Sequence, residues 1–347
     1  MPCQRKRGIA LDKDSGIVKN HPRNNDFNQQ RIPALPVLYL APLQGMTDRI
    51  YRNIFPLYFK GVDLAVAPFL SATKSVKPGS LLKDYSPDQN SGIPTIPQIL
   101  SSGPDDFTRL ANALFDIGYG EVNWNLGCPF RMVVKKGRGA GMLCFPERIE
   151  AFLEKAMSAL KPKLSIKLRL GLKDPDDALL LLPIFNRFPL RELIIHPRTG
   201  AQMYEGNVDL DRFGKCLDLS QHGVVYNGDI VEAQTYERLA ERFGSVHRWM
   251  IGRGLLGNPF LAEEIKFQTA RPYAEKVQIL RAFHDHLFAE YSQILSGPAH
   301  ITNKMKEFWT YSGSFLKDRE KIRKQINKTH HREAYIAAVR NIFEKLV

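Results

Sequence analysis

The sequence predicts an α/β protein, a (β/α)8 TIM barrel followed by a C-terminal all-helical bundle domain. Three observations carry that prediction. Between Val37 and about Leu256, short β-rich runs alternate with longer helical stretches, which is the signature of a parallel sheet. The β-rich runs number eight, the count that closes a barrel. From about Asn258 the strands stop, and apolar residues recur at three- and four-residue intervals, as on helices that pack together. A chain of 347 residues fits this plan, because such barrels fill about 250 residues as one unit and leave room for a small extra domain.

The expected strands are VLYLA (37–41), VDLAVA (62–67), TIPQIL (95–100), GEVNWN (120–125), LSIKLRL (164–170), ELIIH (192–196), GVVYN (223–227) and HRWMIG (247–252). Helices fall between them, for example Asp105–Ile117 after Pro104 and Pro146–Leu160, with a proline near each start as a first helical turn prefers. In the tail, EEIKF, EKVQILRAFHDHLFAEYSQIL, ITNKMKEFWTYSGSF and EAYIAAVRNIFEKLV read as a bundle of about four helices. Its exposed faces are expected to carry Lys304, Lys306, Lys317, Arg319, Lys321, Arg323, Lys324 and Lys328. The division is therefore a disordered basic N-terminal extension over 1–36, a catalytic barrel over 37–256 and a helical domain over 257–347.

Charge narrows the function. Forty-nine Lys and Arg against thirty-six Asp and Glu leave a net charge of +13. A basic surface of that size attracts polyanions, and nucleic acid is a better account of it than a solubility charge without a partner. No uninterrupted apolar run approaches the ~20 residues of a membrane span, so no membrane is expected. Cys3, Cys128, Cys144 and Cys216 form no CxxC pair and show no His spacing typical of zinc. A metal site and a disulfide scaffold are both unexpected, and a reducing cytoplasm fits a monomeric chain of this kind. The first 36 residues hold Arg5, Lys6, Arg7, Lys13 and Lys19 but no apolar core, so they do not read as a secretory signal.

The chemically capable residues cluster just after the strand ends: PLQG (42–45), Gln98, NLGCP (125–129), Lys167 with Arg169, His196 with Arg198, NGD (227–229) and GRG (252–254). In a barrel these positions converge on the C-terminal face, where such enzymes keep their active sites. Turn chemistry accounts for the Gly, Pro, Asn and Asp but not for a capable group after every strand except the second. The last two loops, Asn227-Gly228-Asp229 and Gly252-Arg253-Gly254, suit a phosphate, since small residues let N–H groups approach an anion and a basic side chain completes the cradle; a tight turn is the plainer alternative. Lys167 on an apolar strand is costly to bury alone, so an anion or a flavin ring is a reasonable partner. His196 by itself suits a structural role equally well, but Lys167, His196, Gln98 and Asn125 together favour a site. Cys128 follows strand four in Gly127-Cys128-Pro129, where a thiol facing the mouth would protonate a substrate atom as a general acid. An inert buried cysteine is the commoner fate of an isolated one.

At this point the ordered motifs APLQGMTDRIYR (41–52), EVNWNLGCPFRMVVKKGRGAGML (121–143), SIKLRLG (165–171), IIHPRT (194–199), YNGDI (226–230) and MIGRG (250–254) resemble those of the tRNA-dihydrouridine synthases. The NxGCP block followed by KKGxGA is the characteristic part, and the helical tail resembles that family's C-terminal domain. The resemblance implies a flavoprotein that carries FMN, is reduced by NADPH or NADH, and reduces the uracil 5,6 double bond in tRNA. FMN would then contact Pro42, Leu43, Gln44, Gln98, Lys167, His196, Asn227, Gly228, Asp229, Gly252 and Arg253. Cys128 matches the proton donor, Asn125 and Arg169 match residues near flavin and uracil, and Lys135, Lys136 and Arg138 match a mobile loop beside the active site.

The sequence departs from the family at Asn123, where an acidic residue is common, at Trp124 and Leu126, and in PLQG. The PLQG region and the insert FLSATKSVKPGSLLKDYSPDQNSG lean toward the bacterial branch acting at uridine 16. Two other readings compete. A flavin barrel acting on a free pyrimidine, of the dihydroorotate or dihydropyrimidine dehydrogenase type, needs neither the +13 charge nor a basic tail. A catalytically silent RNA-binding barrel has no use for Cys128 and the phosphate loops.

Overall fold

The computed structural model describes residues 35–72 and 85–346. The expected extension over 1–36 lies outside the described residues as far as residue 34, and so does the 73–84 part of the insert. Ten parallel strand pieces form one sheet: β1 (Val37–Leu40), β2 (Leu64–Val66), β3 (Leu70–Ser71), β4 (Thr95–Ile96), β5 (Gln98–Leu100), β6 (Glu121–Leu126), β7 (Lys163–Gly171), β8 (Leu193–Thr199), β9 (Val224–Tyr226) and β10 (Arg248–Ile251). They make eight crossings. β4 and β5 are one expected strand broken at Pro97, which has no N–H to give. β2 pairs with β4 and β3 with β5, so the second crossing continues along its neighbour past the break. Since β1 pairs with both β10 and β2, and β5 with β6, the sheet closes as the TIM barrel that the sequence predicts.

Strand alternation sorts the side chains into two cores. Tyr39, Ala41, Val66, Ile96, Ile194, Val225 and Met250 fill the barrel interior. Alternate residues such as Leu38, Val122, Trp124, Ile166, Leu193, Tyr226 and Trp249 point outward into the helical ring. Trp124 thereby finds a physical role. Its ring stacks on Phe152 with centroids 3.9 Å apart and planes 9° apart, meets Phe107 at 6.1 Å, and its Nε1 donates to Ser101 O at 3.1 Å. An aromatic here fills a wide outer layer and leaves the inward face of β6 to Asn123 and Asn125.

After β10 only helices follow: Arg253–Gly257, Leu261–Phe267, Tyr273–Ile294, Pro298–Tyr311, Arg319–Asn327 and Arg332–Leu346. Each of the four tail segments read from the sequence contains a helix, although the third stops at Tyr311 and its residues 312–315 form a turn, and Arg319–Asn327 adds one more. Its apolar content is little beyond Ile322 and Ile326, an i,i+4 pair that buries, so its charges hid its periodicity. The tail seats against the first barrel helix, Arg49–Tyr58. The Phe283 ring lies 5.5 Å from Tyr51, 6.1 Å from Phe55 and 4.9 Å from Phe59.

Four residues expected on exposed basic faces are instead half-buried and bonded within the protein, among them Arg323, which donates to Glu320 Oε2 at 2.9 Å. Lys304 pairs with Asp48 at 2.6 Å, and Lys306 donates to the carbonyls of Thr329 and Asn327. Arg319 donates to Thr310 O at 2.9 Å and Tyr311 O at 3.2 Å. There it supplies the positive charge that a helix C-terminus favours. Among the described residues no helix is long and apolar enough to cross a membrane.

Trp124→Ala removes a fully buried ring, its stacking and one hydrogen bond, and should destabilise the fold by about 3–5 kcal/mol, while Trp124→Leu costs distinctly less. Urea unfolding followed by far-UV circular dichroism measures both; equal midpoints for parent and Trp124→Ala contradict the packing described.

Candidate active site

The inward rows of consecutive strands turn polar toward their C-terminal ends. Ser165, Lys167 and Arg169 alternate inward on β7, and Ile194, His196 and Arg198 on β8. The cavity at this mouth is lined by every residue assigned to the cofactor from sequence: Pro42, Leu43, Gln44, Gln98, Lys167, His196, Asn227, Gly228, Asp229, Gly252 and Arg253. Cys128, Asn125 and Arg169 line it as well, together with Phe130, Tyr204 and Tyr311. Lys135, Lys136 and Arg138 do not line the cavity. They sit on the loop that follows Cys128, with Lys135 and Lys136 exposed and Arg138 half-buried.

Asn125 organises the cysteine. Its Oδ1 accepts Gly127 N–H at 3.1 Å and Cys128 N–H at 2.9 Å, while its Nδ2 donates to Gln98 Oε1 at 2.7 Å. Gln98 in turn donates to Asn123 Oδ1 at 2.8 Å, and Asn123 donates to Ser165 Oγ at 3.0 Å. The chain is buried and each carboxamide orientation fixes the next. Asn123 fits because it accepts on one side and donates on the other, which a carboxylate cannot do.

The KKGRGA stretch returns to the same cysteine, with Ala140 N–H donating to Cys128 O at 3.0 Å. Gly139, at φ 55°, lies so close that a Cβ there would stand 2.6 Å from Cys128 O and 3.0 Å from Cys128 Cβ. The GCP and KKGxGA blocks are thus two sides of one contact. Burial pushes the Cys128 thiol up, so it is a protonated S–H at neutral pH.

The opposite wall is cationic. Arg198, 2% exposed, holds both Asp229 oxygens in a bidentate pair, 2.9 Å at Oδ1, and donates to Gly206 O at 2.5 Å. Arg253 shares Asp229 Oδ1 at 2.8 Å. Asp229 holds φ at 37°, in the left-handed region that Asp tolerates better than most residues. Arg169 donates to Gly127 O at 3.0 Å, Thr199 O at 2.9 Å and Met203 O at 2.7 Å, tying the cysteine loop to the loop after β8. Tyr204 lies beneath both the Arg253 and Arg169 guanidiniums, at 4.8 and 5.3 Å.

Lys167 makes no hydrogen bond or ion pair with the described residues, and desolvation, then Arg169, lower its pKa to about 7. Desolvation first, then Arg169, Lys167 and Arg198, hold His196 well below the ordinary imidazole range, so it is neutral. Its Nε2 lies 3.3 Å from Arg198 Nη1, which is always a donor, so Nε2 accepts and Nδ1 carries the proton. Asp229 is the one acid among the described lining residues, so the mouth keeps a surplus of positive charge. Sequence reading gave Arg198 no role of its own, although its place two residues beyond His196 on an inward row pointed to one. Tyr204 and Tyr311 enter the wall from a loop and from the tail and carry no sequence signal.

Fold and site together define a (β/α)8 barrel with a cysteine on one wall of a cation-lined mouth. The fold is that of morphinone reductase in complex with tetrahydroNAD, with a TM-score of 0.50 at 10% identity, covering 68% of this chain and 88% of that one. The chain belongs to the dihydrouridine synthase (Dus) family, whose model matches residues 39–346. Similar relatives are tRNA-dihydrouridine synthase B of Pasteurella multocida, 29% identical over 65% of this chain and 67% of the relative, and the tRNA-dihydrouridine(16) synthase of Ralstonia nicotianae, 28% identical over 67% and 74%.

The unpartnered Lys167 makes a prediction about the ligand-free protein. A lysine whose folded pKa is depressed costs stability fully below that value, and the cost fades as pH rises toward the unfolded value of about 10.4. Lys167→Met should therefore raise the thermal midpoint, most below pH 7 and hardly at all near pH 10. A pH-independent shift in scanning calorimetry contradicts the assignment.

Proposed function

We propose that this protein is an FMN-dependent tRNA-dihydrouridine synthase that draws its electrons from NADPH or NADH. The observation that carries the reading is the Cys128 thiol, held protonated beside Asn125 at the wall of a barrel mouth with surplus positive charge. The residues fit a flavin phosphate and ring. The N–H groups of Gly228 and Asp229 donate to no acceptor among the described residues, and Lys167 lacks a partner among them. Asn227, Gly228, Asp229, Gly252 and Arg253 would hold the phosphate end, with Pro42, Leu43, Gln44, Gln98, Lys167 and His196 along the rest. When bound, the flavin supplies the hydride that adds to C6 of uracil.

The chain's own residues do the remainder. Addition at C6 leaves enolate-like charge over C5 and the adjacent carbonyl, and Cys128 delivers the proton to C5. Asn125 fixes the backbone from which the thiol projects, and Arg169 ties that loop to the far wall. A uridine stacked in folded RNA is out of reach and must be extruded into the mouth. Lys135, Lys136 and Arg138, beside Cys128, and the exposed Lys321 and Lys324 of the tail would neutralise phosphates around it. A free pyrimidine would need none of these cations. Uridine 16 is the proposed position, on the PLQG and insert resemblance.

Cys128→Ala should bind FMN and accept electrons from the nicotinamide nucleotide as the parent does, yet lose about 10²–10⁴-fold in dihydrouridine formation. Single-turnover reoxidation of the pre-reduced enzyme by unmodified tRNA, with mass spectrometry of the RNA, reads this out. Cys144→Ala and Cys216→Ala serve as controls, because neither residue lines the cavity. Parent-like turnover by Cys128→Ala would make the cysteine structural and the acid a different group.

A further inference from the structure

The helix Pro298–Tyr311 ends against the barrel. Its Tyr311 lines the mouth cavity together with Ile230, Val231 and Gly254, and the carbonyl of Tyr311 stands 3.6 Å from where a Cβ on Gly257 would lie. Ser314 N–H then donates to Gly257 O at 2.9 Å, pinning the turn after Tyr311 to the short helix that follows the GRG loop. The Tyr311 side chain is half-buried, and its hydroxyl makes no hydrogen bond with the described residues. That phenol belongs to a residue lining the cavity and packed beside the short helix Arg253–Gly257, and it is a donor without a partner among the described residues.

The same tail grips the other lip of the mouth. Asp48 follows the PLQGMT turn and caps the helix Arg49–Tyr58, with its Oδ1 accepting Tyr51 N–H at 3.1 Å. The hydroxyl of Tyr291, 3% exposed, donates to both Asp48 oxygens at 2.8 and 3.0 Å. Lys304 Nζ donates to Asp48 Oδ2 at 2.6 Å and also to Gly45 O, and lies 4.8 Å from the Tyr291 ring centroid. Gly45 stands at φ 80°, directly behind the Pro42–Gln44 segment that lines the cavity. Thr47 ties that segment down from within, accepting Leu43 N–H at 2.9 Å and donating to Ala41 O at 3.1 Å. Two tail side chains therefore hold the turn that follows the cavity-lining segment Pro42–Gln44.

We propose that the helical region forms part of the cofactor site, with Tyr311 as a direct contact to the flavin phosphate and Tyr291 and Lys304 as positioning residues that hold Pro42–Gln44 through Asp48. This rests on the flavin reading above. Its consequence is that the barrel alone binds flavin poorly, and that whatever engages the tail is felt at the cofactor.

The test uses the full-length chain stripped of flavin and titrated separately with FMN and with riboflavin, which lacks the phosphate, following flavin fluorescence. Tyr311→Phe removes one hydrogen bond to a charged group, so its FMN Kd should rise about tenfold or more while its riboflavin Kd stays at the parent value. Lys304→Met should raise both Kd values by the same factor, and Lys304→Arg should restore them. Tyr311→Phe shifting both ligands equally, or neither, overturns the phosphate contact. Lys304→Met lowering the thermal midpoint of the flavin-free chain without moving either Kd makes the clasp a docking contact only and overturns the positioning role. A parent chain that binds neither flavin overturns the flavin reading and this inference with it; a parent that binds FMN while the variants match it overturns this inference alone.

Discussion

The carboxamide of Asn125 holds the chemically capable end of the barrel in register. It receives the N–H groups of Gly127 and Cys128 on one oxygen, so the chain leaving β6 must turn there, and it passes its own N–H to Gln98 on the neighbouring crossing. Closing the loop this way brings Cys128 O within reach of Ala140 N–H, which fixes the start of the KKGxGA loop. Arg169 completes the arrangement from the other side by bonding Gly127 O. Four separate stretches of sequence meet around one thiol because buried polar groups there have to find partners.

The electrostatics follow from the same geometry. Placing Lys167, Arg169, His196 and Arg198 on adjacent inward rows crowds like charges in a desolvated space. The protein relieves the crowding in two ways: His196 gives up its proton, and Asp229 is drawn between Arg198 and Arg253. What remains is a wall ready for an anion, facing a neutral thiol that burial keeps protonated. Burial thus acts on both sides of one small space, favouring the neutral form of the Cys128 thiol and of His196 while Arg169 and Arg253 keep the wall cationic.

Most of the fold was legible because alternation and turn chemistry are local. All eight crossings fell where apolar runs and turn residues put them, and only the break at Pro97 and the short β3 went unread. The helix Arg319–Asn327 was hidden by its own charges. The cavity lining was legible for a related reason: in a barrel a residue just past a strand end has one place to go. Partnerships between distant residues were not. Arg198 and Asp229 are 31 positions apart and Tyr291 and Asp48 are 243 apart, and no periodicity announces either pair. Lys304 read as a solvated charge because a lysine on an amphipathic helix looks the same whether its ammonium meets water or a carboxylate on another element. Trp124 was recognised as a departure, but its reason is the Phe152 ring on the next helix, which only packing reveals.

Reduction of a uridine held within tRNA is the reaction proposed for this mouth. Position-resolved mass spectrometry of unmodified tRNA, incubated with the flavin-loaded protein and NADPH, tests it most directly, with free uracil and dihydroorotate as parallel substrates. The expected result is a gain of two mass units at a single uridine of the D-loop and no turnover of the free pyrimidines. Turnover of a free pyrimidine with the tRNA left unchanged would contradict it.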